Sequence, residues 1–266
     1  MRVIITTDLA EDAASNILPL LSMFTKSDGL EIVLFHCIEP PSSGSIAIIT
    51  INDILWKNAQ DRMTELVAEL NEQSGNKYTI QTEVRLGQLV GEVSIYLKNN
   101  TADLLVLETA KRKGFRKLTD PQRALEFIGG IPISTLIVPT DYRTIKFAKI
   151  GVALDTTEDI SALNTASFDH IKAYFGAQLK PFHVTNISEE RTNYSLNGAF
   201  GNEIISIVQN DNIEVGIKAW CDQEKIDVLC MLTHHKNIFS KTFSHSVIRM
   251  MIKSGDLPVL VLTAQP

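Results

Sequence analysis

An internal repeat constrains this chain more than any other feature. Residues 2–12 read RVIITTDLAED and residues 149–159 read KIGVALDTTED. Asp8, Glu11 and Asp12 match Asp155, Glu158 and Asp159 at a constant offset of 147, and Phe35-His36 matches Phe182-His183 at the same offset. Farther along, residues 102–107 resemble residues 226–231 at an offset of 124, which Thr109, Phe115 and Lys117 keep toward Thr233, Phe239 and Lys241. A repeat of this length means one supersecondary plan used twice. The offset falls by 23 between the second and fourth strands of the pattern, so the second copy is short by a helix-sized piece. The first copy carries a helical pattern at 53–73, where Ile54, Leu55, Ala59, Met63, Leu66, Val67 and Leu70 recur near a 3.6-residue period. The matching stretch 188–201 is polar, rich in Asn, Ser and Gly, and reads as a loop or a short remnant.

Short apolar runs alternate with helical patterns along both copies. In the first, strands are expected at 2–6, 31–37, 78–84, 103–107 and 134–138, with helices at 13–25, 53–73, 90–98 and 120–128. In the second, strands are expected at 149–153, 179–184, 203–208, 227–232 and 259–262, with helices at 160–175, 213–224 and 244–253. Runs such as Val259-Leu260-Val261-Leu262 are continuously apolar, as in a parallel sheet covered by helices on both faces. The expected fold class is therefore α/β, with two tandem open parallel five-stranded sheets of Rossmann-like type. Residues 1–140 form the first domain and 145–266 the second, joined near 140–146.

Composition narrows the function. Hydrophobic residues at 44% supply real cores, and a formal charge of −6 repels phosphate backbones, so a nucleic-acid partner is not expected. Cys37, Cys221 and Cys230 have no CxxC spacing, which fits a reducing compartment better than a disulfide framework. No apolar run reaches the roughly 20 residues of a membrane span, and residues 1–5 enter a strand pattern directly. A cytoplasmic location without membrane partners is expected.

The β-α-β-α-β-α-β-α-β order, an Asp closing the first strand, and His-Cys or His-Val closing the second (His36-Cys37, His183-Val184) resemble the universal stress protein family. The resemblance covers nearly the whole chain, twice. It implies strand order 3-2-1-4-5, with a ligand crevice at the carboxyl ends of strands one and four, where the order reverses. Asp8 and Thr109 close those strands in the first copy, Asp155 and Thr233 in the second. It also implies that the last strands, at 134–138 and 259–262, meet in a covalent pseudo-dimer, and it leaves a homodimer open.

The family's ATP-binding branch follows strand four with a G-x2-G-x9-G-[S/T] loop, whose glycines let backbone N–H groups approach phosphates ahead of a helix N-terminus. Carried over residue by residue, those places hold Glu108, Lys111 and Pro121-Gln122 in the first copy, and Leu232, His235 and His245-Ser246 in the second. None of the six glycines is present, and Ser246 alone keeps the pattern. The family's adenine contact falls on Cys37 and Val184. The candidate ligand residues are thus Asp8, Cys37, Thr109, Lys111, Asp155, Val184, Thr233, His235, His245 and Ser246. The expectation is no resident cofactor and at best weak binding of ATP or AMP. An adenine nucleotide-like small molecule is the candidate ligand.

Other features have plainer readings. Asp8 and Asp155 suit either a ribose contact or a cap on the following backbone. His36 and His183, inside apolar strands, read as satisfied core histidines. The basic cluster at 111–117 reads as a solvated loop, with phosphate binding as the sharper alternative. The apolar run at 46–51 reads as packing on its own domain or on the second copy, with a lid or interface strip as the alternative. His234-His235 and His245 lack the spacing of a metal site. No GxSxG, GxGxxG or GxxxxGK[ST] motif occurs, so no enzymatic activity is expected.

Overall fold

The computed structural model describes residues 1–26, 29–39, 47–109, 121–140, 142, 145–154, 166–185, 205–233 and 245–263. The first half runs β1 (Arg2–Thr6), α1 (Ala13–Ser22), β2 (Glu31–Ile38), α2 (Ala47–Ser74), β3 (Ile80–Leu86), α3 (Leu89–Asn99), β4 (Leu104–Thr109), α4 (Pro121–Gly130) and β5 (Thr135–Pro139). The second runs β6 (Lys149–Ala153), α5 (Ala166–Phe175), β7 (Gln178–Thr185), β8 (Ser206–Gln209), α6 (Ile213–Glu224), β9 (Val228–Thr233), α7 (His245–Ser254) and β10 (Val259–Thr263).

All ten strands form one sheet in the order β3-β2-β1-β4-β5-β10-β9-β6-β7-β8. Each half is parallel internally and has the order 3-2-1-4-5. The halves join where the two last strands pair antiparallel, Val259 against Ile137 and Val261 against Thr135. The sheet is apolar on both faces. One face, with Val3, Ile5, Leu34, Val152 and Leu260, is covered by α1, α2 and α5. The other, with Ile4, Phe35, Leu105, Ala153 and Val261, is covered by α3, α4, α6 and α7. Each core runs through both halves, as expected when parallel strands bury both sides.

The repeat visible in the sequence is physical. Phe35 packs edge-on against Tyr96 at 5.6 Å, and its counterpart Phe182 stacks on Trp220 at 3.9 Å. The Asp103 carboxylate accepts the Arg2 backbone N–H at 2.7 Å, while its own N–H donates to the Arg2 carbonyl. Asp227 makes the same closed pair with Lys149, its carboxylate accepting at 2.8 Å. These two aspartates fix where strand one of each half begins beside strand four.

Three expectations shift. Helix α2 starts at Ala47, not residue 53, so residues 47–51 of the apolar run supply its first turn. That run is nearly all aliphatic and shows no 3.6-residue stripe, so periodicity does not mark it as helical. Ile51 is 42% exposed, and the other side chains of the run lie outside the described residues. The third strand begins at Ile80 because Tyr78 is pulled inward, its hydroxyl donating to the Phe24 carbonyl at 3.3 Å. Helix α5 is described from Ala166 and β8 from Ser206; the earlier parts of both expected elements, and the polar stretch at 188–201, lie outside the described residues. Among the described residues no helix is long and apolar enough to cross a membrane.

Candidate functional site

The order of strands reverses between β1 and β4 in the first half and between β6 and β9 in the second. In open α/β sheets ligands enter at such points, at the carboxyl ends of the strands. In the first half this places the turn after β1, Asp8 to Ala10, beside the end of β4 at Thr109.

That turn is tied down by short-range polar contacts. The Asp8 carboxylate accepts the Ala10 N–H at 3.1 Å, and the Thr7 hydroxyl accepts the Leu9 N–H at 3.1 Å. Leu9 has φ of 56°, a left-handed conformation that costs a β-carbon-bearing residue about 1–2 kcal/mol. Packing of its side chain against the core offsets part of that cost. Arg62 of α2 reaches the Ala10 carbonyl at 3.4 Å from the far side. Asp8 therefore serves the backbone of its own turn. The helix cap position belongs to Asp12, whose side chain makes no cap hydrogen bond.

His36 and His183 behave as satisfied histidines. The His36 Nδ1 lies 2.8 Å from the Thr7 carbonyl, and the His183 Nδ1 lies 2.9 Å from the Leu154 carbonyl. A carbonyl only accepts, so Nδ1 carries the proton in both rings. Burial holds the His36 imidazole below its ordinary value of 6.5, against the opposing pull of the Thr7 carbonyl and the Asp8 charge.

The remaining sequence candidates divide. Thr109 closes β4 but is 3% exposed. Val184 is likewise buried, and α6 presses on it: a β-carbon on Gly216 would stand 2.7 Å from the Val184 Cγ1. Its counterpart Cys37 is half-buried. Cys221 and Cys230 are core residues, and burial pushes the Cys221 thiol up to about 12. Thr233 and His245 are located by their backbone, at the end of β9 and the start of α7. Ser246 is exposed in the first turn of α7. Lys111, Asp155 and His235, with the basic cluster at 111–117 and His234, lie outside the described residues. The paired His36 and His183 contacts and the carboxylate clamps of Asp103 and Asp227 fall on positions that the repeat offsets mark in the sequence, and for the two aspartates no role was read there.

No family model matches the chain, and no curated protein matches it. Solved structures do. A universal stress protein from Archaeoglobus fulgidus DSM 4304 aligns over 98% of this chain and 98% of its own, with a TM-score of 0.70 at 17% identity. This chain has the universal stress protein fold. A functionally unknown protein from Pseudomonas aeruginosa PAO1 shares it, aligning over 99% of this chain and 92% of its own with a TM-score of 0.58 at 13% identity. Agreement over the full length of both neighbours includes both halves of the ten-stranded sheet. At these identities the likeness is one of fold. Within the universal stress protein fold, the strand-two histidines His36 and His183 make equivalent contacts in the two halves.

Proposed function

We propose that this chain is a non-enzymatic regulatory module of the stress-response type, a covalent pseudo-dimer with at most weak affinity for adenine nucleotides. One observation carries the reading. Two of the described candidates at the first carboxyl edge are turned to the protein itself, Asp8 bonded to the Ala10 N–H and Thr109 buried. The loss of all six loop glycines removes the close backbone approach that phosphates need. Calorimetric titration of the full chain with ATP, with and without magnesium, tests this. The expected dissociation constant is in the high-micromolar range or weaker, roughly −5 kcal/mol or less of binding free energy. Low-micromolar binding overturns it.

Ser246 favours a second reading, in which the second half is a switch that holds AMP or ATP through Asp155, Val184 and Ser246. Ser246 is exposed in the first turn of α7, and the dipole of a helix favours an anion at its N-terminus. Ser246→Ala lowering AMP affinity severalfold, with Asp8→Ala leaving it unchanged, would select this reading over the first.

A further inference from the structure

We infer that His36 and His183 are positioning residues, wedges that part strand one from strand two at the carboxyl edge, and that His36 thereby sets the turn carrying Asp8. The inference starts from the register. In the first half β1 pairs with β2 as far as Thr6 against Phe35, while β2 continues beside β3 to Ile38 against Leu86. In the second half β6 pairs with β7 as far as Ala153 against Phe182, while β7 continues beside β8 to Thr185 against Gln209. Both sheets therefore split at the same place.

The hydrogen bonds at the split are also the same. The Thr7 N–H still donates to the Phe35 carbonyl at 3.0 Å, and the Leu154 N–H to the Phe182 carbonyl at 2.9 Å. In a parallel ladder the carbonyl of that residue would next accept a backbone N–H from the neighbouring strand. Here each carbonyl instead meets an imidazole, His36 Nδ1 at 2.8 Å and His183 Nδ1 at 2.9 Å. A side-chain donor of fixed length replaces the ladder donor. The strand can then leave the sheet without stranding a buried carbonyl, an omission that costs about 1–3 kcal/mol. The next residue, Asp8 in one half, enters its tight turn from this fixed point.

A histidine that only filled space would need neither the same nitrogen nor the same partner in two halves of such different sequence. The role requires a donor at the Nδ1 position, which the amide of Asn supplies. Gln carries its amide farther out, near the Nε2 position. The two replacements are close in polarity and separate donor position from bulk.

The experiment uses the full chain labelled with 15N. Long-range proton–nitrogen correlation is expected to show Nδ1 protonated in both rings. Amide exchange is then compared in His36→Asn and His36→Gln, with His183→Asn and His183→Gln as the parallel pair. Exchange at Leu9 and Ala10 is expected to rise about tenfold in His36→Gln over His36→Asn, the equivalent of one hydrogen bond, with Ile4 unchanged. An unprotonated Nδ1, or equal exchange in the two variants, overturns the wedge. Its bearing on ligands rests on the nucleotide reading above, and AMP titration separates the two. Weaker AMP binding in His183→Gln than in His183→Asn supports both. Wild-type protein that ignores AMP, with the exchange difference intact, sinks the nucleotide reading and supports the wedge.

Discussion

Phe24, at the end of the first half's α1, meets Phe175, at the end of the second half's α5, with 5.7 Å between ring centroids. Tyr174 approaches the same ring edge-on at 6.1 Å, and its hydroxyl donates to the Lys26 carbonyl. Phe175 in turn stacks on Phe147 at 4.0 Å. The two halves thus share an aromatic cluster on one face of the sheet, while α4 and α7 pack together on the other. Phe24 is fully buried. Phe24→Ala is expected to cost about 3–5 kcal/mol, read from urea unfolding. Both halves are expected to unfold in one transition in the wild-type chain. Separate transitions in the wild type would show that the shared cluster does not couple them.

The glycines of α3 and α6 make opposite predictions. A β-carbon on Gly216 meets the Val184 Cγ1 at 2.7 Å and the Asn210 Cβ at 3.0 Å, whereas one on Gly91 meets nothing within 4 Å. Gly216→Ala is expected to destabilise by about 1–3 kcal/mol through overpacking. Gly91→Ala, inside α3, is expected to stabilise by about 0.5–1 kcal/mol by restricting the unfolded chain. Thermal melts of the two variants check both signs.

The pH dependence of stability follows from His36. Burial disfavours its charged form, so its proton affinity in the folded state lies below the ordinary 6.5. As pH falls past that value, the unfolded chain takes up the proton first. The contribution of His36 to stability is therefore intact above about 6.5 and is lost as pH falls through the lower folded value. Melting temperatures measured from pH 7.5 to 5.0 are expected to decline more steeply for the wild type than for His36→Asn, which cannot take the proton. Parallel curves would refute this.

Much of the fold was legible because it is written twice. The offset of 147 predicted that His36 and His183 are equivalent, and they bond equivalent carbonyls. The offset of 124 paired Asp103 with Asp227, and both close the same ring with strand one. The beginning of α2 was not legible, since an apolar run without a stripe fits several structures. The role of the histidines was not legible either, since nothing in a sequence says which strand will stop pairing first. The site was less readable than the fold because its proposed contacts fall largely on connections after the strands, where local patterning is weakest.

The antiparallel seam between β5 and β10 has a consequence for how the molecule could act. Because strands within each half run one way and the halves run opposite ways, the carboxyl ends of β1 and β6 lie at opposite edges of one continuous sheet. Nothing bound at one end can touch what is bound at the other. Communication between them runs through the seam and the side chains packed across it on both faces, and a partner gripping both ends must reach around the protein. The chain is built as a strut with two heads facing away from each other.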